Sequence, residues 1–351
     1  MDAAALRILD ASLNRAAEGL RVVEDYARFA LDDRLLTDQA KRLRHDLAEA
    51  AEGIGGAARQ AVRETQTDVG VEITVSSEAS RTDAWDVCVA SLERLKQSLR
   101  SIEEYGKTVS PDFGASVEAI RYRAYTLEKA IGTVSRAINR LSGVGLCVLI
   151  DGRNDQGAFE TLVASLLDAG VGMLQLRDKR LGDRNLIARA RHLVGATRDA
   201  GTLAIVNDRP DVAAASHADG VHLGQDDLPV KDARAIVGPR ALVGVSTHCL
   251  EQARQAVLAG ADYLGAGPTF PSVTKAFANF PGLDYLRQVS QETSLPTFAI
   301  GGISTHNLPH VIETGVSRIA VSGAVTSADD PAAAARGLAA GLRQAAPEAG
   351  G

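Results

Sequence analysis

Apolar residues recur at helical spacing from the first turns of the chain. In LRILDASLNRAAEGLRVVEDYARFAL, Leu6, Leu9, Leu13, Leu20, Val23 and Ala27 fall near one face of a helix. The pattern continues to about residue 135 with no proline before Pro111, and predicts an all-α region over 1–135. The exception is VGVEITVSSEAS (69–80), β-branched and then polar, which reads as a linker or short extended stretch. From about Gly143 the grammar changes to short apolar runs separated by amphipathic or alanine-rich stretches such as 183–200, 250–259 and 329–345. The runs are GLCVLI (145–150), MLQLR (173–177), LAIVND (203–208), GVHLG (220–224), LVGVS (242–246), YLGAG (263–267), TFAIGG (297–302) and RIAVSG (318–323). Strand–helix alternation implies parallel pairing with right-handed crossovers. Eight such units in about 200 residues close naturally into a (β/α)8 barrel. The predicted fold is therefore α/β, a TIM barrel over 136–351 behind an all-α domain. A doubly wound open sheet is the alternative, disfavoured because no dinucleotide fingerprint follows any of the runs.

The helical half repeats itself. ASLNRAAEGLRVVEDYAR (11–28) aligns with ASLERLKQSLRSIEEYGK (90–107), matching Arg15 with Arg94, Arg21 with Arg100, Glu24 with Glu103 and Tyr26 with Tyr105. The same offset relates Arg42 and Arg44 to Arg121 and Arg123. Two copies of a helical pair that cover each other's apolar faces account for this. The arginines read first as partners of Glu24, Glu103 and neighbouring acids; a phosphate-binding basic cluster is the sharper alternative. No P-loop or kinase glycine-rich motif is present to support nucleotide use.

Composition changes this picture little. The apolar share of 45% suits a full core, and a net charge of −6 provides no global field for nucleic acid. Cys88, Cys147 and Cys249 are far apart, form neither a disulfide framework nor a metal spacing, and suit a reducing cytoplasm. The N-terminal stretch has charges throughout, and no run approaches the roughly 20 apolar residues of a membrane span. The expected partners are small molecules, with neither nucleic acid nor membrane; a homo-oligomer stays open.

Candidate chemistry follows from one rule, that barrel active sites lie at the C-terminal ends of the strands. The second run ends in Gln175, Arg177 and Lys179, which alternate with Leu174, Leu176 and Asp178 and so share a face. The third ends in Asn207 and Asp208, the fourth is followed by Asp226 and Asp227, and the fifth ends in Ser246. The sixth leads into GPTFPSVTK with Ser272, Thr274 and Lys275; the seventh and eighth end in Gly301–Gly302 and Ser322–Gly323. Singly, each has a bland reading: Asp208 a turn, Asp226 or Asp227 a cap before Pro229, Lys275 a solvated loop lysine, His222 a packed core or rim histidine. Together, Arg177, Lys179 and Lys275 with two or three carboxylates make a rim where Mg²⁺ could bridge acids to a polyphosphate. The turns after the seventh and eighth runs suit a monophosphate held by backbone N–H groups.

The motifs QLRDK, VND, VHLGQDD, GADYLGAGPTF…T-K and AIGGI closely resemble those of thiamine phosphate synthases, from about 144 to the C-terminus. That resemblance implies a transferase of thiamine biosynthesis that joins 4-amino-2-methyl-5-(diphosphooxymethyl)pyrimidine to a thiazole phosphate, plain or carboxylated, with release of pyrophosphate. It implies binding of the pyrimidine diphosphate by Gln175, Leu176, Arg177, Asp178, Lys179, Asn207, Ser246 and Lys275. It further implies Mg²⁺ on Asp208 and Asp227, and the thiazole phosphate on Ser272, Val273, Thr274, Gly302, Val321 and Ser322. Arg177, Lys179, Ser246 and Lys275 are the implied catalytic set. Asp178 and Ser272 stand where Glu and Thr are frequent, and both keep the functional group. Residues 7–131 resemble the helical domain fused ahead of this synthase in some bacteria, which implies a role in supplying pyrimidine phosphate; tethering or oligomerisation is the competing role.

Overall fold

Each of the eight apolar runs forms a strand, and the strands close on themselves. A computed structural model describes residues 2–63, 80–271 and 281–345. The chain divides into two units, 1–132 and 133–351, each with its own core. The VGVEITVSSEAS stretch lies, but for Ser80, outside the described residues.

The first unit contains α1 (Ala3–Asp25), a π-helical turn (Tyr26–Ala30), α2 (Arg34–Glu52), the short α3 (Gly56–Ala61), α4 (Ala84–Gly106) and most of α5 (Pro111–Arg140). Local chemistry fixes the starts. Asp2, Asp33 and Asp83 accept from the backbone N–H of Ala4, Leu36 and Asp86, capping α1, α2 and α4. Pro111 opens α5 rather than breaking it, because the first helical position has no acceptor for an N–H. Helix continues to Arg140, past the expected limit near 135, since no breaker intervenes before Gly143.

The repeated segments are α1 and α4, packed antiparallel. Ser12 Oγ meets Ser101 Oγ at 3.2 Å, whereas Gly19 lies against Ser91 and Leu95. A Cβ at Gly19 would stand 3.1 Å from the Ser91 carbonyl oxygen, so glycine sets the closeness of the two helices. The repeated acids take the repeated bases, but not symmetrically. Glu24 accepts from Arg44 at 3.0 Å, while Glu103 accepts from Arg121, the counterpart of Arg42, at 2.7 Å. Arg42 instead pairs with Asp38 and Arg123 with Asp46. The reading that assigned the arginines first to neighbouring acids holds for Arg42, Arg44, Arg100, Arg121 and Arg123, whereas Arg15, Arg21 and Arg94 form no ion pair among the described residues.

In the second unit β1 (Leu146–Ile150), β2 (Met173–Leu176), β3 (Leu203–Asn207), β4 (Gly220–Leu223), β5 (Leu242–Thr247), β6 (Tyr263–Ala266), β7 (Thr297–Ile300) and β8 (Arg318–Val321) form a closed parallel barrel in chain order. Helices α6 (Gln156–Asp168), α7 (Asp183–Thr197), α8 (Pro210–Ser216), α9 (Val230–Val237), α10 (Leu250–Ala259), α11 (Gly282–Glu292), α12 (Leu308–Ile312), α13 (Gly323–Thr326) and α14 (Pro331–Ala345) connect or follow the strands. Cys147, Leu149, Met173, Ile205, Leu242, Tyr263, Phe298 and Ala320 fill the interior, the Tyr263 and Phe298 rings meeting edge-on at 5.5 Å. Gly244 makes room for that tyrosine: a Cβ there would lie 2.1 Å from its ring. This interior set, with the β3–β4 register for β4, fixes the parity of the strands and therefore which residues reach the C-terminal rim. No helix among the described residues is long and apolar enough to cross a membrane.

Candidate active site at the C-terminal rim of the barrel

Two residues beyond an interior side chain, a strand again faces inward. Met173 therefore puts Gln175 and then Arg177 on the inner face, Ile205 does the same for Asn207, and Leu242 and Gly244 for Ser246. Cα register places Asn207 beside His222, so β3 and β4 present an amide and an imidazole at one level. Leu176 and Val321 are buried on the opposite parity, which leaves their backbone groups as what a ligand at the rim could meet.

Asp208 follows Asn207 with φ +61°, a left-handed conformation tolerated by Asp, and its N–H donates to the His222 carbonyl at 2.8 Å. That turn aims the carboxylate at Asp227. Burial and then the hydrogen bond and charge of Asp227 push Asp208 up to about 6, against the opposing pull of Lys179 and Arg177. Lys179 Nζ stands 3.8 Å from Asp208 Oδ2. Asp227 is not a helix cap: α9 begins after Pro229 without a side-chain cap, and Asp227 Oδ2 accepts from the Gly224 N–H at 2.6 Å. Asp226 is exposed.

A carboxylate whose proton affinity is raised by a facing acid, with two cations close by, belongs to a donor set suited to Mg²⁺. That ion takes one or two carboxylates and completes its shell with water and substrate oxygens. Among the described residues no group of three or more His, Cys, Asp or Glu could hold a metal by itself.

His222 belongs to this rim as well as to the core. Its Nε2 is hydrogen-bonded to Ser246 Oγ at 2.9 Å and its Nδ1 to the Tyr263 hydroxyl at 3.2 Å. Gly265 leaves the ring its space, since a Cβ there would lie 3.0 Å from His222 Cε1. Gln225 donates to the Ser246 carbonyl, fixing the same residue from the next loop. Neither His222 nor Gln225 was among the expected site residues; the even spacing from Gly220 to His222, one register step from Asn207, was the available signal.

Asp178 has a different task in this structure. Its carboxylate accepts from the backbone N–H of Gly152, Arg180 and Leu181 at 2.9, 2.7 and 3.1 Å, with the side chain almost wholly buried. It thereby shapes the loop that carries Arg177 and Lys179 and ties it to the end of β1. Burial raises its proton affinity, but these backbone donors and Arg180 outweigh that and leave it below the usual carboxylate range.

On the other side of the rim, Gly301 (φ +100°) and Gly302 (φ +66°) pack under the loop after β6. A Cβ on Gly302 would stand 2.9 Å from Phe270 Cβ, in a backbone conformation that side chains also disfavour. Thr269 N and Oγ1 both donate to the Ile300 carbonyl, and Phe270 N to that of Gly301, so the two loops form one surface. Ser322 Oγ donates to the Leu149 carbonyl at 3.1 Å, just before α13, whose first N–H groups have no acceptor within the helix. Ser272, Val273, Thr274 and Lys275 lie outside the described residues.

The model of the thiamine monophosphate synthase family matches residues 146–325, and that of the ThiD2 family matches residues 7–130. A thiamine-phosphate synthase of Rhodopirellula baltica is 43% identical over 333 residues, 92% of this chain and 89% of that protein. The chain belongs to the thiamine-phosphate synthase family. A Synechocystis member is 40% identical over 93% of this chain and 92% of its own length, so the fused helical region is shared along with the barrel. Among solved structures, thiamine phosphate pyrophosphorylase from Pyrococcus furiosus superposes with a TM-score of 0.54 at 36% identity. It covers 58% of this chain and 98% of its own. The membership makes the chain a transferase of thiamine biosynthesis.

Proposed function

We propose that this chain condenses 4-amino-2-methyl-5-(diphosphooxymethyl)pyrimidine with a thiazole phosphate, giving thiamine phosphate and pyrophosphate. The observation that carries the reading is the Asp208–Asp227 pair facing Lys179 and Arg177 on one rim. Acids and bases mixed in this way suit a diphosphate with a divalent cation far better than either ligand alone. Bound between the acids, Mg²⁺ would neutralise charge on the diphosphate. Arg177 and Lys179 approach the same anion from β2, so charge that builds up as the C–O bond breaks is met by fixed cations.

In this reading the bonding electrons leave with the diphosphate, and the 4-aminopyrimidine stabilises the resulting carbon cation. The thiazole nitrogen then supplies its lone pair to form the C–N bond. No proton transfer is required, which accords with a rim built for charge rather than for acid–base relay. Gln175, Asn207 and Ser246 orient the pyrimidine. His222, neutral because burial holds its ring down to about 4, keeps the Ser246 hydroxyl in place. Gly302, the Ser322–Gly323 turn and the start of α13 offer backbone N–H groups to the thiazole phosphate.

The test is pyrophosphate release from the two substrates with purified protein, with and without Mg²⁺. Release that is equally fast in excess EDTA removes the metal from the reading; no release with either thiazole phosphate removes the reaction.

A further inference from the structure

The opposite pole of the barrel carries a cation that no described residue matches. Arg318 begins β8, and Ala320, two residues on, is an interior side chain, so Arg318 faces inward at the N-terminal end. Its Nε is buried with no hydrogen-bond partner, and no described residue forms an ion pair with it. Burial lowers its proton affinity, and no acid among the described residues opposes that effect. A guanidinium nevertheless remains charged at any working pH, so this charge has no counterpart among the described residues.

Arg318 lines a cavity of about 350 Å³. Its walls are the backbone entries to β1 and β2 and the last turns of α14. Gly143 (φ +79°) and Gly170 (φ +73°) border it, with nothing within 4 Å of where a Cβ would be, so the entries are open and their peptide groups accessible. Ser317 adds a hydroxyl, and Arg343, exposed in the last turn of α14 and without an ion pair among the described residues, adds a second guanidinium. Two forked donors over a glycine-walled hollow match the geometry by which arginine takes phosphate.

We propose that the N-terminal pole of the barrel binds a small dianion of the phosphate class, held between Arg318 and Arg343. The site is separate from the strand-end rim and independent of the reaction proposed there.

Inorganic phosphate is the probe, titrated into the full chain at constant ionic strength. The readout is the ¹H–¹⁵N correlation of the Arg318 Nε–H, assigned by its loss in Arg318→Lys. The expected result is a saturable shift of that peak, with apparent affinity about tenfold weaker in Arg343→Ala, an exposed change that spares the fold. The shift should survive in Asp208→Asn, since phosphate at the other rim would not produce it. A peak that does not move, or moves identically in Arg343→Ala, overturns the site. Should Arg318→Lys not fold, selective loss of the same peak in Arg318→Met gives the assignment, and the Arg343→Ala comparison decides alone.

Discussion

His222 and Ser246 are joined across β4 and β5 by a 2.9 Å hydrogen bond, with the ring buried and its other nitrogen on the Tyr263 hydroxyl. A histidine so placed aligns its neighbour and does not titrate near neutrality. Its folded value, about 4, lies below the ordinary 6.5, so protonation favours the unfolded chain. The associated stability is complete above pH 6.5 and is lost as pH falls toward 4. A shift of this size corresponds to roughly 3 kcal/mol. His222→Gln, which keeps a donor and an acceptor, should flatten the fall in melting temperature between pH 6.5 and 4 and retain most turnover. His222→Ala should lower turnover by about 10- to 100-fold through a misplaced Ser246. Equal kinetics for the two variants would deny the alignment role.

Asp208 presents the opposite sign. Its folded value is raised, to about 6, chiefly by burial and by Asp227. Stability from this group is therefore present below its unfolded value near 4 and lost as pH rises through 6. In metal-free protein Asp208→Asn should stabilise the fold above pH 6 by about 1–2 kcal/mol, a figure reduced for the side chain's partial exposure. The same variant should lose nearly all Mg²⁺-dependent pyrophosphate release. Melting curves in EDTA at pH 5 and pH 7.5, alongside the activity assay, read both. A variant less stable than wild type at pH 7.5 would mean that the carboxylate is a structural turn residue.

Gly302 tests the second half of the rim. Alanine there meets both the +66° φ and the 2.9 Å approach to Phe270. The cost should be about 1–3 kcal/mol. The loop pair should shift, and KM for the thiazole phosphate should rise about tenfold or more, with KM for the pyrimidine diphosphate little changed. A parallel rise in both constants would locate the damage in the barrel as a whole.

The barrel was legible because its strands are short, apolar and evenly spaced, and because parity from Met173 or Ile205 carries to the rim without further information. The bland assignments were harder to separate. His222 looks the same in sequence whether it packs or aligns a site hydroxyl, because the deciding contact crosses from β4 to β5. Asp178 shows the reverse: it sits in the QLRDK motif, yet its carboxylate folds back on Gly152 and Leu181, a contact that depends on how the loop after β1 lies. Arg318 is invisible to a motif reading for the same reason, since what marks it is a partner that no described residue provides. In the helical unit the repeat predicts equivalent ion pairs, but Glu24 chooses Arg44 and Glu103 chooses Arg121. The first copy continues as a π-helical turn at Tyr26–Ala30 where the second ends at Gly106, so the two faces are no longer equivalent.

That asymmetry leads to a prediction for the helical unit. Glu103 is 2% exposed at its side chain and accepts from Arg121 Nε and Arg100 at 2.7 Å and from Lys107 at 3.2 Å. Burial would raise its proton affinity, but the hydrogen bonds from Arg121 and Lys107 outweigh it and leave the group below the ordinary range. Its stability is thus present above the unfolded value near 4.3 and lost as pH falls below it. Removing the acid leaves Arg121 buried without its main partner, a change that typically costs about 3–5 kcal/mol. Arg121 also stacks on Tyr122 and Tyr125, which retain part of its environment, so the lower end of that range is expected. Glu103→Ala should lower the melting temperature of the helical unit while pyrophosphate release at 25 °C stays within about twofold of wild type, because the partners of Glu103 (Arg100, Lys107 and Arg121) all belong to the helical unit. Glu24→Ala, facing the more exposed Arg44, should cost less. Equal losses for the two would restore the symmetric arrangement that the repeat suggests, and a collapse of turnover in Glu103→Ala would give the helical unit a part in the barrel's reaction.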